Sequence, residues 1–377
     1  MATDPIKTPP GRRQGVTVLR VRLRDFRCYG SVEVTLGAGL TVVYGGNGAG
    51  KTNLLEALYF GCTGRSCRTS NEREVVRFDA QAARVEVDAG EHTLAVGFQP
   101  GQPKRFTVDG APVERLVDAP GRPLVAVFLP DRLELIKGAP ALRRAHLDQV
   151  VSALWPTRAA TRRSYVQTLA QRNALIARIR RGHGSRSALP AWDAELAQHG
   201  IALRNDRQQT ADLLREPFAE LAAELGLVGA GELRYKPRTS AATPEELAAE
   251  LAERLDSDLE RGFTGHGPHR DDVAMLRDGR ELRSYGSQGE QRLALLALLL
   301  AERQVLATAR GTPPVLLLDD VMSELDADRR QWLVDRLSDG QALITTTELA
   351  HVPGHERPGV MRIAVSAGSV LQEASAA

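Results

Sequence analysis

The sequence predicts an α/β fold, built on a mixed β-sheet and interrupted by an inserted α-helical arm domain. Three observations point there. A short apolar strand runs into the glycine-rich stretch 45–52 and out again into a helix. Far downstream, the wholly apolar run 315–318 ends in Asp319-Asp320. Between them, from about Pro140 to Arg261, the composition turns to Ala, Leu, Arg, Glu and Gln, the vocabulary of helices.

Taken in order, three bursts of period-two alternation, 16–23, 32–36 and 40–43, suit strands. A helix follows over 53–60, with Leu54, Leu55 and Leu58 on one side. Residues 84–98 and 105–113 suit hairpins, with Asp109-Gly110 a good tight-turn pair. The apolar strand 124–129 is stopped by Pro130. In the helical segment one start is explicit: Thr243-Pro244-Glu245-Glu246 supplies a cap, a first-turn proline and a capping-box glutamate. Leu247, Leu251, Leu255 and Leu259 then make an apolar stripe. Strand-like texture returns at Phe263, followed by a long apolar helix over 292–307 and strands at 315–318 and 342–346. The expected organisation is a disordered polar tail at 1–15, the first half of a head domain at 16–138, a helical arm at 139–261 and the second half of the head at 262–377.

The 377 residues are 42% hydrophobic and 25% charged, enough for two folded domains with full cores. A net charge of +2 leaves nucleic-acid binding to local patches rather than to the molecule as a whole. Three cysteines, Cys28, Cys62 and Cys67, have no metal-site spacing and suit a reducing cytoplasm. No apolar run reaches the ~20 residues that span a bilayer, so no membrane role is expected.

Gly45-Gly46-Asn47-Gly48-Ala49-Gly50-Lys51-Thr52 matches the phosphate-binding pattern GxxxxGKT between a strand and a helix. The glycines let backbone N–H groups wrap the phosphates of ATP, and the helix N-terminus adds partial positive charge. Lys51 is expected on the β- and γ-phosphates and the Thr52 hydroxyl on Mg²⁺. Asp319 is placed to hold the same Mg²⁺, and Asp320 to polarise the attacking water. An aspartate ending a buried strand also caps helices, so this pair gains its meaning from the loop at 45–52.

Further elements narrow the class. Ser287-Gln288-Gly289-Glu290 opens the long apolar helix, Ser323-Glu324-Leu325-Asp326 follows the acidic pair, and 344–347 closes the next strand. Singly these read as a helix cap and a surface turn. In this order they resemble an ABC-type ATPase head with signature, D-loop and switch. That resemblance implies that Ser287, Gln288 and Gly289 contact the nucleotide of a second copy, making an ATP-dependent homodimer. It also puts Asp326 at the nucleotide and Thr347 near the switch position, where a threonine can touch the γ-phosphate but cannot carry a full charge. Asp320 is one methylene shorter than the glutamate common in transporters, which predicts slow turnover.

Closer still, Phe26-Arg27-Cys28-Tyr29, Gly50-Lys51-Thr52-Asn53-Leu54-Leu55-Glu56-Ala57, Arg65-Ser66-Cys67-Arg68, Gly267-Pro268-His269-Arg270-Asp271-Asp272 and the run from Ser287 to Arg292 resemble the RecF family of bacterial recombination mediators. So do 317–326 and the middle segment 128–133 with Arg143-Arg144 and Leu147-Asp148. The likeness runs from about residue 18 to 350. It implies ATP-dependent dimerisation, binding of DNA at gaps and single–double-strand junctions, slow ATP hydrolysis, cytoplasmic location and cooperation with RecO and RecR. Two positions depart from the pattern. Glu290 stands where glutamine is frequent, and Asp131-Arg132 where Glu-Asp is common.

Between Gln149 and Trp192 there is no acidic residue, yet Arg158, Arg162, Arg163, Arg172, Arg178, Arg180, Arg181 and Arg186 are present. This is either a phosphate-binding face for DNA or a solvated helix face paired with the acidic stretch 245–260. With only Trp155 and Tyr165 interleaved, base stacking by this segment is expected to be minor. His266 and His269 beside Asp271 and Asp272 are expected in a packed turn rather than at a metal. A transporter subunit, an SMC protein with long coiled-coil arms and an ATP-dependent nuclease are the alternatives. The long basic insert, the short arm and the lack of an added acidic domain after residue 350 weigh against them in turn.

Overall fold

The computed structural model describes residues 16–116, 119 and 121–373. The tail expected at 1–15 lies outside the described residues. The fold divides into two compact units, one combining Met1–Arg132 with Arg303–Ala377 and the other comprising Leu133–Glu302.

The first unit holds two six-stranded sheets. One is mixed, in the order Ser369–Glu373, Met361–Ser366, Leu40–Tyr44, Ala342–Thr346, Val315–Leu318, Val125–Phe128. Four of its five pairings are parallel, and the fifth, at the edge, sets Ser369–Glu373 antiparallel. Val315–Leu318 and Ala342–Thr346 are buried at every residue, which is why they read as unbroken apolar runs rather than alternations. The second sheet is antiparallel, in the order Tyr29–Thr35, Arg20–Phe26, Ala83–Asp88, Thr93–Phe98, Arg105–Val108, Ala111–Val113. Residues 20–24 and 83–88 alternate, with Val21, Leu23, Val85 and Val87 inward.

The helix Lys51–Thr63 packs against strands of both sheets, so ten of its thirteen residues are buried and little amphipathic contrast remains. Phe60 and Phe26 meet at 5.5 Å between ring centroids in this core. The helix is longer at both ends than the expected 53–60, because its first turn is the phosphate loop itself and Gly64, at φ 71, ends it in the left-handed region.

The second unit carries helices Pro140–Leu154, Ala159–Arg180, Leu189–Glu224, Pro244–Glu253 and Leu255–Arg261. It also has a three-stranded sheet, Arg280–Glu281, Asp272–Arg277, Gly231–Lys236. Gly231–Lys236 is a strand inside the segment whose composition is mostly helical. Its alternation is short, with only Leu233 and Tyr235 buried, and it becomes visible through pairing with Asp272–Arg277. That pairing draws residues 262–302 into the arm's unit, so the compact units break at 132/133 and 302/303 where sequence texture suggests 138/139 and 261/262. The second break falls within the helix Gln288–Arg310. The Thr243 capping box forms as expected, the Thr243 hydroxyl accepting from Glu246 N at 3.3 Å while Glu246 accepts from Thr243 N at 3.4 Å. The leucine stripe after it is shared by two helices that meet at Arg254 instead of running through one.

Candidate functional site

In the first unit, the strands Leu40–Tyr44, Ala342–Thr346 and Val315–Leu318 lie side by side and parallel, so their C-terminal ends open at one edge. Loops leaving that edge are the usual ligand site of such sheets. Gly45 at φ 153 begins the phosphate loop, and a Cβ there would stand 2.2 Å from Val365 O, leaving glycine as the residue that fits. Gly50, at φ 119, is hemmed in by Cys28 Sγ and Tyr29 Oη, and the Tyr29 hydroxyl donates to Gly50 O at 2.9 Å. Gly46, Asn47 and Gly48 are exposed, leaving the loop's outer backbone open to a ligand.

The Lys51 ammonium donates to Gly45 O at 2.8 Å and Gly46 O at 3.0 Å, curled beneath its own loop. Burial holds its pKa below the usual lysine value, while Asp320 and Asp319 act to raise it. The Thr52 hydroxyl donates to both Asp319 oxygens, at 2.9 and 3.0 Å. Asp319 also accepts from the Thr345 hydroxyl at 2.6 Å, and that hydroxyl in turn accepts from Asp320 N at 2.9 Å. Burial pushes the Asp319 carboxyl above its ordinary range; the two hydroxyls and the Arg68 charge pull it down, and Asp320 pushes it up. Asp320 takes φ 48, a left-handed conformation costly for a residue with a Cβ, and its Oδ1 is buried without a hydrogen-bonding partner.

Residues that carry the family resemblance, but to which the sequence assigns no role, support this cluster. Glu56, fully buried one turn along the helix, accepts two bonds from Arg27 at 2.9 and 2.8 Å and others from Ser66 and Arg68. Arg68 also donates to Asn53 Oδ1 at 2.9 Å. Thr345, not Thr347, is the threonine that touches the acidic pair; Thr347 lies just past the strand and is partly buried. Strand parity makes Thr345 and Thr347 equivalent candidates, so only the register could separate them.

Asp326 caps the helix Ala327–Arg336, accepting from Arg329 N at 2.9 Å, and Ser323 donates to Asp320 O at 2.8 Å. In the second unit, Ser287, Gln288 and Gly289 are exposed at the start of the Gln288–Arg310 helix. Ser287 and Glu290 form a reciprocal cap: Ser287 N donates to Glu290 at 2.8 Å, and Glu290 N to the Ser287 hydroxyl at 3.3 Å. Glu290 also pairs with Arg277, which offsets the negative charge that sets this residue apart from glutamine.

The arm arginines divide into distinct groups. Arg172 has no exposed surface and is held by Asp193 at 2.6 Å, Asp258 at 2.7 Å and Thr264 at 2.8 Å. It is therefore a core ion and not part of a DNA-contacting face, a correction to the sequence expectation. Arg158 pairs with Asp206 at 3.0 Å and stacks on Trp155, and Arg162 pairs with Asp148 at 2.8 Å. Arg186 pairs with Asp256, in the acidic stretch, at 3.0 Å. Arg163, Arg178, Arg180 and Arg181 are exposed and meet no carboxylate among the described residues. The Gly267–Asp272 stretch builds this unit's interior. Asp271 is fully buried and accepts from Tyr235 and from Arg238 N, and Asp272 is gripped by Arg143 at 2.8 and 3.0 Å. His269 bonds to Tyr165 at 2.7 Å and His266 to Glu250.

A family model described as AAA domain matches residues 20–107. The chain is 38% identical over 376 residues, 95% of its length and 98% of the relative's, to the DNA replication and repair protein RecF of Myxococcus xanthus. It is 39% identical over 347 residues, 88% of its length and 92% of the relative's, to that of Anaeromyxobacter sp.. Among solved structures it is similar to the recombination mediator protein RecF bound to ATP, with a TM-score of 0.86 and 29% identity over 96% of this chain and 98% of that one. An Smc head domain with an extended coiled coil from Pyrococcus furiosus, at 17% identity and a TM-score of 0.55, shares the fold, covering 95% of this chain and 96% of that one. Likeness at both levels fits an ABC/SMC-type ATPase head with an inserted arm.

Proposed function

The chain belongs to the RecF family of DNA replication and repair proteins, and from that premise we propose that it is an ATP-dependent switch that clamps two copies together on DNA during recombinational repair. The observation that carries this reading is the cluster of Thr52, Asp319 and Thr345 beside the phosphate loop, with Asp320 Oδ1 buried and unpaired next to it. A buried carboxylate oxygen with no donor suits a site completed by ligand.

Thr52 and Asp319 offer the hard oxygen donors that Mg²⁺ prefers. Bound there with ATP, the ion would offset charge on the β- and γ-phosphates. The chain's own groups do the rest. Lys51 and the loop's N–H groups bind and orient the phosphates, and Asp320 orients a water and takes up its proton. Ser287 and Gly289 of a second copy would seal the nucleotide, since an exposed helix N-terminus attracts an anion. Asp326 would sit at that seam, and Thr347 would sense the γ-phosphate from the end of its strand. Exposed Arg163, Arg178, Arg180 and Arg181, with Arg158 and Arg162, would hold duplex or junction backbone, at gaps above all. RecO and RecR are the partners that the family resemblance implies. Among the described residues no helix is long and apolar enough to cross a membrane.

The reading is tested by measuring mass with and without a non-hydrolysable ATP analogue. Nucleotide should double it. Ser287→Arg should keep nucleotide affinity and abolish the doubling, and an unchanged mass for the parent chain would refute the clamp.

A further inference from the structure

The solvent face of the antiparallel sheet carries a charge pattern that the nucleotide site does not use. Along Arg20–Phe26 the outward residues Arg20, Arg22 and Arg24 face Asp88, Glu86 and Arg84 across the sheet on one side, and Thr35, Glu33 and Ser31 on the other. The first two rungs are balanced: Arg20 lies 3.0 Å from Glu33, and Arg22 lies 2.6 Å from Glu33 and 3.5 Å from Glu86. At the third rung the pattern reverses. Arg24 stands opposite Arg84, Arg84 opposite Gly97, and Gly97 opposite Arg105. Like charges directly opposite destabilise a strand pair, and neighbouring strands are only ~4.8 Å apart. Arg84 is relieved by Glu86 at 2.8 Å, whereas Arg24 and Arg105 are exposed and meet no carboxylate among the described residues. At Gly97 the floor is open, with the first side-chain atom 3.9 Å from where a Cβ would stand.

This rung lines a groove of about 630 Å³, walled by the turn at 77–80. The turn is closed by Ala80 N donating to Arg77 O at 3.0 Å and anchored to the sheet by Arg77 N donating to Asp25 O at 2.9 Å. Asp79 adopts φ 66, the left-handed position such a turn requires. Its tip presents Phe78, which is 90% exposed. The groove's carboxylates are Asp25, already within 3.6 Å of Arg77, and Asp79. A lone exposed phenylalanine is unremarkable. One held out on a pinned turn, beside a row of arginines of which two are unbalanced, is a different arrangement.

We propose that this groove is a second nucleic-acid contact, in which an unpaired strand lays its phosphates across Arg24, Arg84 and Arg105 and stacks a base on Phe78. The inference rests on the DNA-binding reading above and adds to it a specific site for single-stranded character, which the arm, poor in aromatics, does not offer. A polyanion resolves the like-charge rung, and arginine forks match phosphate geometry. An exposed ring has no use for duplex bases, which are stacked on each other, but it supports an unpaired one whatever its sequence. An acidic protein segment would satisfy the arginines and leave the ring idle.

The test uses the full chain with a non-hydrolysable ATP analogue and measures fluorescence anisotropy on a labelled single strand and a duplex of equal length across a salt series. Phe78→Ala should weaken single-strand binding about ten-fold and leave the duplex unchanged, and Phe78→Trp should restore it. Arg24→Ala with Arg105→Ala should lower the salt slope on single strands by about 1.4. Unaltered nucleotide affinity and melting temperature establish that the variants fold. If the parent chain binds DNA and neither change alters single-strand affinity or slope, the groove is not a nucleic-acid site and the arm reading survives. Loss of polyglutamate binding with DNA binding intact would reassign the groove to an acidic protein. Failure of the parent chain to bind any DNA would overturn both readings.

Discussion

Asp319 and Asp320 are neighbours in sequence with opposite surroundings. Asp319 is fixed by hydroxyls from Thr52 and Thr345, whereas Asp320 is turned by its left-handed backbone so that one oxygen has no protein donor. On the proposed function, that asymmetry would divide their work into holding and reacting. Asp320→Asn is therefore expected to keep ATP binding and lower the hydrolysis rate at least about a hundred-fold, whereas Lys51→Ala should lose binding itself. Fluorescent-nucleotide titration beside a steady-state ATPase assay separates the two. His269 supplies a prediction in pH. Its neutral ring satisfies both neighbours, Nδ1 accepting from Tyr165 and Nε2 donating to Thr264 O, and burial foremost holds its pKa at about 4. In the unfolded chain it titrates near 6.5, so its contribution is fully present above that pH and is lost as pH falls toward 4. Between pH 7 and pH 5 this amounts to about 2 kcal/mol, and urea unfolding at both pH values should show His269→Gln less acid-sensitive than the parent chain by that amount.

At the scale of elements, the helix Ala159–Arg180 has an exposed arginine side and a buried one. Arg172 on the buried side compensates Asp193, whose carboxyl burial pushes above its usual range, and Asp258. Arg172→Met leaves those carboxylates without a cation and should cost about 3–5 kcal/mol, read as a fall in melting temperature. DNA affinity per folded molecule should not move. Arg163→Ala with Arg181→Ala should do the reverse, lowering the salt slope of duplex binding by about 1.8 and leaving the melting temperature in place. The helix Lys51–Thr63 behaves differently. It lies between sheets, and its Glu56 ties Arg27, Ser66 and Arg68 to the phosphate loop, so a change at Glu56 would disturb nucleotide binding through position rather than contact.

At the scale of the whole molecule, the two units hold different motifs of the proposed switch. The phosphate loop, acidic pair and D-loop belong to the first, and the signature to the second. On the proposed reading, one chain would supply both halves of a site that two copies complete in exchange, and nucleotide would act as a cross-link between copies rather than a fuel consumed continuously. Gly267–Asp272, one of the stretches that carry the family resemblance, serves neither role directly. Its buried Asp271 and its Asp272 hold helices and sheet of the second unit together.

The sequence by itself determined the phosphate loop, the acidic strand end, the cap at Thr243 and the helical insert, because each depends on residues near one another in the chain. Backbone conformation, capping and apolar period are local properties, and they are written locally. Three matters needed the tertiary structure. Thr345 could be told from Thr347 only by strand register, Arg172 from Arg163 only by which side of a helix is covered, and the short strand Gly231–Lys236 only by its partner at 272–277. The Arg24–Arg84–Gly97–Arg105 rung belongs with them. Burial and pairing are set by residues far away in sequence, so a charge on an arm and a charge in a core look alike until the chain has folded around them.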